Sequence, residues 1–253
     1  MRLTWFDSNS WLIEVGDQRI LLDPWFVGPL VFGNATWLFK GKKNRQFPIP
    51  TDLSLLLLSQ GLEDHAHPPT LQQLDPQLPV VASANGAKVA KKLGFQEITA
   101  LLPGQTFTLN NQVEIRAFSG SLVGPQLVEN AYLLTDLTTG YRLYYEPHGF
   151  HSPELKNMGT IDVILTPVVG ASLLHLIPVL NGQKTTLELC KWLQPEVIVP
   201  TAAAGDIRYE GLIGYLFREE GSIAAFENLL SRANLQSRVI NPQLGEAIVL
   251  PVV

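Results

Sequence analysis

Residues 53–67 read LSLLLLSQGLEDHAH, in which a short apolar run passes directly into a polar loop with two histidines. The run from Leu53 to Leu58 is short and is followed by polar residues, which is typical of a strand buried on both faces of a parallel sheet. Loops after such strands project side chains into the crevice at the carboxyl edge of the sheet. The stretch therefore predicts an α/β fold with a candidate site in the loop from Ser59 to His67.

Strands and helices alternate on both sides of this run. Upstream, Trp11 to Val15 and Arg19 to Leu22 flank a Gly16-Asp17 turn, which is a hairpin signal. The other predicted elements are strand Pro79 to Ala82, helix Asn85 to Leu93, a hairpin turning at Asn110-Asn111, a hairpin turning at Thr138-Thr139-Gly140 with arms Tyr132 to Leu134 and Leu143 to Tyr145, strand Ile161 to Leu165, helix Thr185 to Leu193, strand Val197 to Val199, a helix beginning at Ser222, and strand Ala247 to Leu250. A strand-rich opening followed by strand–helix alternation, occurring twice, predicts two sheets packed face to face with helices outside.

The chain has neither a tandem repeat nor a linker rich in Gly, Ser or Pro, so we expect residues 1–253 to form a single domain. The segment Pro24 to Pro50 has no sustained periodicity, which predicts a long loop of the kind that often forms a lid. Within it, Lys40 to Arg45 is expected to be solvated.

Composition excludes several classes of protein. Of the 253 residues, 46% are hydrophobic and 16% are charged, which is typical of a globular protein. The net charge of -5, without a long basic run, argues against nucleic acid or an anionic membrane as partner. The lone Cys190 excludes intramolecular disulfides and Cys-rich metal sites, and we expect it to be buried. Asp7 comes too early for a signal peptide, and no apolar run approaches the ~20 residues of a membrane span, so we expect a cytoplasmic protein without membrane insertion.

The histidines are concentrated in two loops. Four of the five occur there, as His65 and His67 after one predicted strand and His148 and His151 after another. Alternate residues of an extended loop can point to the same side, so His65 and His67 can reach one ion. Imidazole and carboxylate groups together are ligands for zinc, manganese or iron. The alternative is that these four are ordinary surface-loop residues. The fifth, His175, is isolated and is expected to be a core or interface residue.

Two acids adjoin these histidines, Asp64 in the first loop and Glu146 in the second. Either carboxylate can ligate a metal, orient an imidazole, or act as general base on a bound water. Asp23, at the end of a strand before Pro24, has the same options, although we favour a cap for the turn. Asp206 is a weaker candidate of the same kind.

Three stretches of the chain resemble the metallo-β-lactamase superfamily, in the branch of the ascorbate-phosphate lactonases and the N-acyl-phosphatidylethanolamine phospholipases. The first is Trp5 to Glu14 together with Ile20 to Trp25, which is similar to the first hairpin of that branch with its Asp-Pro ending. The second is Leu55 to Ser59 with Asp64-His65, in the place of the family's strand and His-x-His-x-Asp-His loop. The third, Pro195 to Pro200, resembles a late strand that precedes another histidine. The resemblance implies an αββα sandwich of two mixed sheets.

The resemblance also implies that the usual ligand set is incomplete. The first two family histidines fall on Gln60 and Leu62, and leucine cannot bind a metal. The third falls near Ser119 to Ser121, and the last falls on Ala202. At the position of the bridging aspartate, Glu146 or His148 can substitute. Asp64 and His65 carry over directly.

Three functions are consistent with these residues. The first is a metal-dependent hydrolase of an ester, lactone or phosphoester bond in a small-molecule substrate, with one divalent ion, zinc in the first place or else manganese or iron. Its metal ligands would be Asp64, His65, His67, Glu146 and His148, with Asp64 and Glu146 as catalytic residues. The second is a non-catalytic relative that binds a small molecule or a protein partner. The third is metal-free hydrolysis at Ser119 or Ser121, which we disfavour because the chain lacks a Gly-x-Ser-x-Gly elbow. The resemblance is also compatible with a homo-oligomer.

Overall fold

A computed structural model describes residues 1–33, 35–122, 128–173, 177–201, 205–212 and 217–250. Strands and helices are numbered in chain order. The first large sheet contains, in spatial order, β19 (Ala247–Val249), β1 (Arg2–Trp5), β2 (Trp11–Val15), β3 (Gln18–Leu22), β5 (Leu55–Leu58), β6 (Val80–Ala82) and β7 (Ile98–Ala100). The second contains β18 (Arg238–Val239), β15 (Val197–Pro200), β12 (Val163–Thr166), β11 (Arg142–Tyr145), β10 (Val128–Asp136), β9 (Val113–Leu122) and β8 (Thr106–Leu109). Each large sheet is mixed, because parallel and antiparallel pairs occur in both.

Smaller elements complete the described chain. Two small sheets pair β14 (Ile177–Leu180), β13 (Gly170–Leu173) and β17 (Phe217–Glu220), and β16 (Ile207–Glu210) with β4 (Lys40–Lys43). The helices are α1 (Pro68–Leu71), α2 (Ala84–Lys92), α3 (Gln183–Leu193), α4 (Ile223–Arg232) and a 3₁₀ turn at Pro153–Asn157. No helix in these described ranges is long and apolar enough to cross a membrane.

The apolar core has three layers, which confirms the αββα prediction. One cluster lies between the large sheets and contains Leu55 and Leu57 of β5 together with residues of β9 to β12. A second covers the outer face of the first sheet, where Leu56 and Leu58 pack with Ala90 of α2. A third joins the second sheet to α3 and α4 and contains the buried Cys190. All four leucines of β5 are therefore buried, as expected for a strand covered on both faces.

Local signals placed most elements correctly. The hairpins at Gly16-Asp17, at Asn110-Asn111 and at Thr138-Thr139-Gly140 all form. Ser222 caps α4 by accepting a hydrogen bond from the backbone N–H of Ala225. These predictions are confirmed because turn and cap residues act within a few positions of the chain.

The segment Pro24 to Pro50 is more structured than predicted. Lys40–Lys43 forms β4 and pairs with β16, so that Lys43 lies opposite Ile207, far away along the chain. Lys43 is half-buried, and its Nζ donates to the carbonyl oxygens of Phe6 at 2.6 Å and Trp25 at 2.5 Å. Its ammonium also lies 4.8 Å from the centre of the Trp25 ring. The expectation of a solvated loop is wrong at this lysine, since a pairing with so distant a strand leaves no local pattern.

Burial of Lys43 predicts a pH-dependent stability. Burial lowers the pKa of Lys43 to about 8 from an ordinary 10.5, although Asp7 opposes the shift. A group with a depressed folded pKa contributes stability that is complete above its unfolded pKa and is lost as pH falls through its folded pKa. We expect the free energy of unfolding, relative to Lys43→Met, to rise by about 1–3 kcal/mol between about pH 7 and pH 10. Chemical denaturation at each pH measures the free energy of unfolding, and the exposed Lys42→Met serves as control. The same pH dependence in the native protein and in Lys43→Met would contradict the prediction.

The ends of the parallel strands bring the candidate loops together. Strands β3, β5 and β6 run parallel in the first sheet, and β11, β12 and β15 run parallel in the second. Asp23 follows β3, the loop from Ser59 to His67 follows β5, and Glu146 to His151 follows β11. Carboxyl ends of parallel strands share one edge of a sheet. The loops of the two sheets also meet, because the rings of His65 and His148 are in contact.

Candidate metal centre

Two groups of potential metal ligands lie side by side at this edge. Asp64, His65 and His148 form the first group, and Glu129, Glu146 and His148 form the second. Within each group the potential ligand atoms lie within 4.8 Å of one another. The rings of His65 and His148 are 5.1 Å apart between centroids. His148, in the loop after β11, therefore belongs to both groups and lies next to the histidine of the loop after β5.

Asp23 holds the ring of His65 in place. His65 Nδ1–H donates to Oδ2 of Asp23 at 2.7 Å, and both side chains are completely buried. The Asp23 carboxylate also accepts from the Ser59 backbone N–H at 2.8 Å, the Ser59 hydroxyl at 2.5 Å and the Tyr145 hydroxyl at 2.7 Å. Nδ1 is thereby engaged, and Nε2 faces the Asn9 side-chain amide at 3.4 Å and Oδ2 of Asp64 at 3.2 Å. Nε2 is thus the ring nitrogen that a ligand can reach, and a carboxylate behind a histidine is the usual support of a metal-bound imidazole. Asp23 is therefore a positioning residue, beyond the turn cap that we favoured.

His65 lies between two negative charges. Its Nε2 is 3.2 Å from Oδ2 of Asp64, on the side opposite Asp23. Burial lowers the pKa of His65, but the Asp64 and Asp23 carboxylates outweigh it, so that this pKa lies well above its ordinary value. The site thus attracts a positive charge at Nε2, which a proton or a metal ion can supply.

The loop after β11 fixes the Glu146 carboxylate. Oε2 of Glu146 accepts from the backbone N–H groups of His148 at 3.1 Å, of Phe150 at 2.9 Å and of Gly149. Gly149 has a φ of +77°, and a Cβ there would stand 1.9 Å from the carbonyl oxygen of Asn181. Only glycine fits at this point, since it tolerates both the left-handed backbone and the close approach.

Glu129 is the candidate ligand that we did not predict. It begins the buried part of β10, where the register with β9 shifts between Val128 and Asn130. Such a bulge re-aims a side chain, and the buried Glu129 accepts from His148 Nδ1 at 2.7 Å. Burial and the Glu129 carboxylate raise the pKa of Glu146 well above its ordinary value, against the three N–H groups that lower it. The available signal was an acid directly before the apolar strand, in VENAYLL.

The donor set fits a divalent cation. Oδ1 of Asp64 and the Oε1 atoms of Glu129 and Glu146 are buried without a hydrogen-bond partner in the described structure. Within the same ranges, neither lysine nor arginine forms a salt bridge with these three carboxylates. One oxygen of each carboxylate is paired, with His65, with His148 or with backbone N–H groups. The unpartnered second oxygens are costly to bury, and carboxylate oxygens with imidazole nitrogens suit zinc, manganese or iron.

The structure keeps the other candidates apart from both groups. Nδ1 of His67 is 3.0 Å from the Thr70 hydroxyl, its Nε2 is 3.3 Å from the Pro29 carbonyl, and its ring lies near Trp25. His151 packs beside Tyr144, and burial lowers its pKa to about 3. Asp206 accepts from Asn44 instead.

Two further positions lie outside the described residues. They are His175, which we expected in the core or an interface, and Ala202, at the position of the last family histidine.

Comparison with known proteins agrees with the fold. The sequence matches the model of the Beta-lactamase superfamily domain over residues 2–202. No curated protein matches the chain significantly. Igni18, a metallo hydrolase from the archaeon Ignicoccus hospitalis, is 16% identical with a TM-score of 0.69 over 98% of this chain and 97% of that chain.

Two other solved structures have the same architecture. An isothiocyanate hydrolase from Delia radicum gut bacteria is 14% identical with a TM-score of 0.69 over 100% of both chains. CmlA, a diiron β-hydroxylase from Streptomyces venezuelae, is 13% identical with a TM-score of 0.69 over 98% of this chain but 54% of that chain. At such identities the likeness extends to the fold alone.

Proposed function

This chain belongs to the metallo-β-lactamase superfamily, and from that premise we propose that it is a metal-dependent hydrolase with a rebuilt ligand set. The proposed ligands of one divalent ion are Asp64, His65 and His148. Asp64 and His65 match the family motif, whereas His148 comes from the loop at the position of the family's bridging aspartate. The observation that carries the proposal is the unpartnered Oδ1 of Asp64 beside the buried, oriented His65.

Asp23, Asp64 and Glu146 would have different roles in the proposed reaction. Asp23 orients His65 through Nδ1, which leaves Nε2 directed at Asp64. Asp64 would ligate through one oxygen and accept a proton of the attacking water through the other. Glu146, our other catalytic candidate, is anchored by three backbone N–H groups, which suits a fixed ligand better than a proton carrier. A divalent ion here would lower the pKa of a bound water towards ~7 and polarise the oxygen of an ester, lactone or phosphoester in a small molecule.

Zinc, manganese and iron all accept these ligands, and zinc is our first proposal because imidazole and carboxylate ligation is common for it.

His67 is not among the proposed metal ligands, because both of its ring nitrogens face other groups. The second candidate function is binding of a small molecule or a protein partner without catalysis, which the loss of ligands at Gln60 and Leu62 favours.

Metal content tests the proposal. We expect the purified protein to contain near-stoichiometric zinc, manganese or iron by elemental mass spectrometry, and His65→Ala to lose about 90% or more of it after mild dialysis, because Nε2 is a direct ligand. His67→Ala is the matched control and should keep the metal. Esters, lactones and phosphodiesters would then be screened with the loaded protein.

The two functions differ in their outcomes. A protein that binds no metal after reconstitution would rule out the hydrolase and leave the binding function. Metal loss in His67→Ala rather than His65→Ala would overturn the ligand assignment.

A further inference from the structure

We propose that the side-chain amide of Asn9 donates a hydrogen bond to the carbonyl oxygen of an ester or lactone at the metal centre. This inference rests on the proposed function and deepens it, because it adds a catalytic residue and narrows the substrate to a neutral acyl compound. Asn9 lies in the turn between β1 and β2, outside the two loops that supply the proposed ligands.

Asn9 reaches the site through its amide nitrogen. Its Nδ2 lies 3.4 Å from Nε2 of His65, and both side chains are buried. Within the described residues this amide nitrogen forms no other hydrogen bond. Nε2 has a single lone pair, which the proposed ion takes, so the N–H groups of Asn9 are then left for another acceptor beside the ligand group.

A chain of hydrogen bonds sets which end of the Asn9 amide faces His65. Trp11 Nε1, which can only donate, donates to the Thr201 hydroxyl oxygen at 2.9 Å. The hydrogen of that hydroxyl is then directed to Oδ1 of Asn9, at 3.5 Å. Because the carbonyl end of the amide faces Thr201, its amino end faces the ligand group. Thr201 is therefore a positioning residue for Asn9.

The backbone on both sides of Asn9 is fixed. Asp7 and Ser8 have φ values of +83° and +50°, in the left-handed region that non-glycine residues enter where the surroundings impose it. The Ser10 hydroxyl donates to the carbonyl oxygen of Asp23 at 3.0 Å, which ties the turn to the end of β3. A donor held in this way needs little reorganisation when charge develops in front of it.

The charge that requires a donor appears during acyl hydrolysis. The water oxygen bonds to the carbonyl carbon, one water proton passes to Asp64, and the π electron pair of the C=O bond moves onto its oxygen. The pair returns when the C=O bond re-forms and the alcohol leaves with the proton from Asp64. Between these events the oxygen is negative, and the Asn9 N–H binds it more strongly than the neutral carbonyl of the substrate.

The other groups at this edge favour a neutral substrate. Asp64, Glu129 and Glu146 each belong to a ligand group with His148. Within the described ranges, neither lysine nor arginine forms a salt bridge with these three acids. A phosphodiester brings a negative charge that carboxylates repel, whereas an ester or lactone is neutral until water adds. A neutral donor such as Asn9 suits an oxygen that becomes charged only during the reaction.

Phenylboronic acid tests the assignment without turnover, because it is neutral in solution and becomes a tetrahedral anion when an oxygen adds to boron. Calorimetry with zinc-loaded, full-length protein should give at least ~10-fold weaker binding to Asn9→Ala than to the native chain. Elemental analysis should find the same zinc content in both. The matched control is Asn228→Ala, which changes an exposed asparagine of α4 and should bind like the native chain.

Two further variants and a kinetic measurement separate hydrogen bonding from structure. Asn9→Asp keeps the side-chain size but replaces the N–H groups with an oxygen, so it should keep zinc and bind phenylboronic acid at least as weakly as Asn9→Ala. Thr201→Val keeps Asn9 but removes the hydroxyl that orients it, and its loss of affinity should be smaller. With phenyl acetate, Asn9→Ala should lower kcat by about 10²–10³-fold and leave KM within about 3-fold.

Each result separates this inference from the proposed function. Native protein that binds no metal would overturn both. Zinc-loaded native protein that cleaves a phosphodiester but neither cleaves phenyl acetate nor binds phenylboronic acid would overturn the inference and leave the hydrolase. Equal affinity and kcat in native protein and Asn9→Ala would remove Asn9 from the reaction. Loss of zinc in Asn9→Ala would make Asn9 a support of the ion instead of a donor to the substrate.

Discussion

His148→Ala is expected to abolish metal binding and hydrolysis together. His148 is the residue common to both ligand groups, and its ring stands between His65 and Glu129. Removing it takes one ligand from the proposed ion and leaves Oε2 of Glu129 without the His148 N–H that it accepts. We expect hydrolytic activity to fall by about 10³-fold or more, which is ~4 kcal/mol of transition-state stabilisation.

The fold should survive this change. His148 lies in a loop with 13% of its side chain exposed, and it belongs to none of the described apolar clusters. Circular dichroism should therefore be unchanged, while elemental analysis should find little metal. The control is His151→Ala, a histidine of the same loop outside both groups. If His148→Ala retained its metal and its activity, neither ligand group could be correct as described.

Asp23→Ala is expected to lower the free energy of unfolding by about 3–5 kcal/mol, because it breaks a buried charged network. Asp23 is completely buried and receives hydrogen bonds from Ser59, His65 and Tyr145. Without its carboxylate these donors remain buried without an acceptor, which costs free energy at each of them. Its φ of +42° adds to the cost, since alanine disfavours the left-handed backbone.

Asp23→Asn separates the structural role from the positioning role. Asparagine tolerates this backbone and keeps one acceptor oxygen, so the loss in urea denaturation should be smaller than for alanine. Metal affinity should still fall about 10–100-fold, because the charge that orients His65 is gone. A stability change below about 1 kcal/mol in Asp23→Ala would show that the network contributes little.

Local sequence patterns were sufficient for the architecture. The unbroken apolar run of β5, the turn residues of the three hairpins and the capping Ser222 each act over a few residues, so their signals survive in a single sequence. Their alternation implied two covered sheets, and the family resemblance agreed with it. The same reasoning took candidate ligands from the loops after β5 and β11, and the structure brings His65 and His148 of these loops close together.

Contacts between distant parts of the chain decide which candidate ligands come together. Glu129 enters the site because a bulge in β10 turns its side chain towards His148. His67, two residues from His65, leaves it because α1 and Pro29 occupy both ring nitrogens. Periodicity and spacing describe neighbours along the chain, whereas side-chain direction in a loop depends on which strands pack behind it. The sequence thus predicted that candidate ligands lie in the loops at one edge of the two sheets. Which of these side chains face one another there depends on tertiary packing.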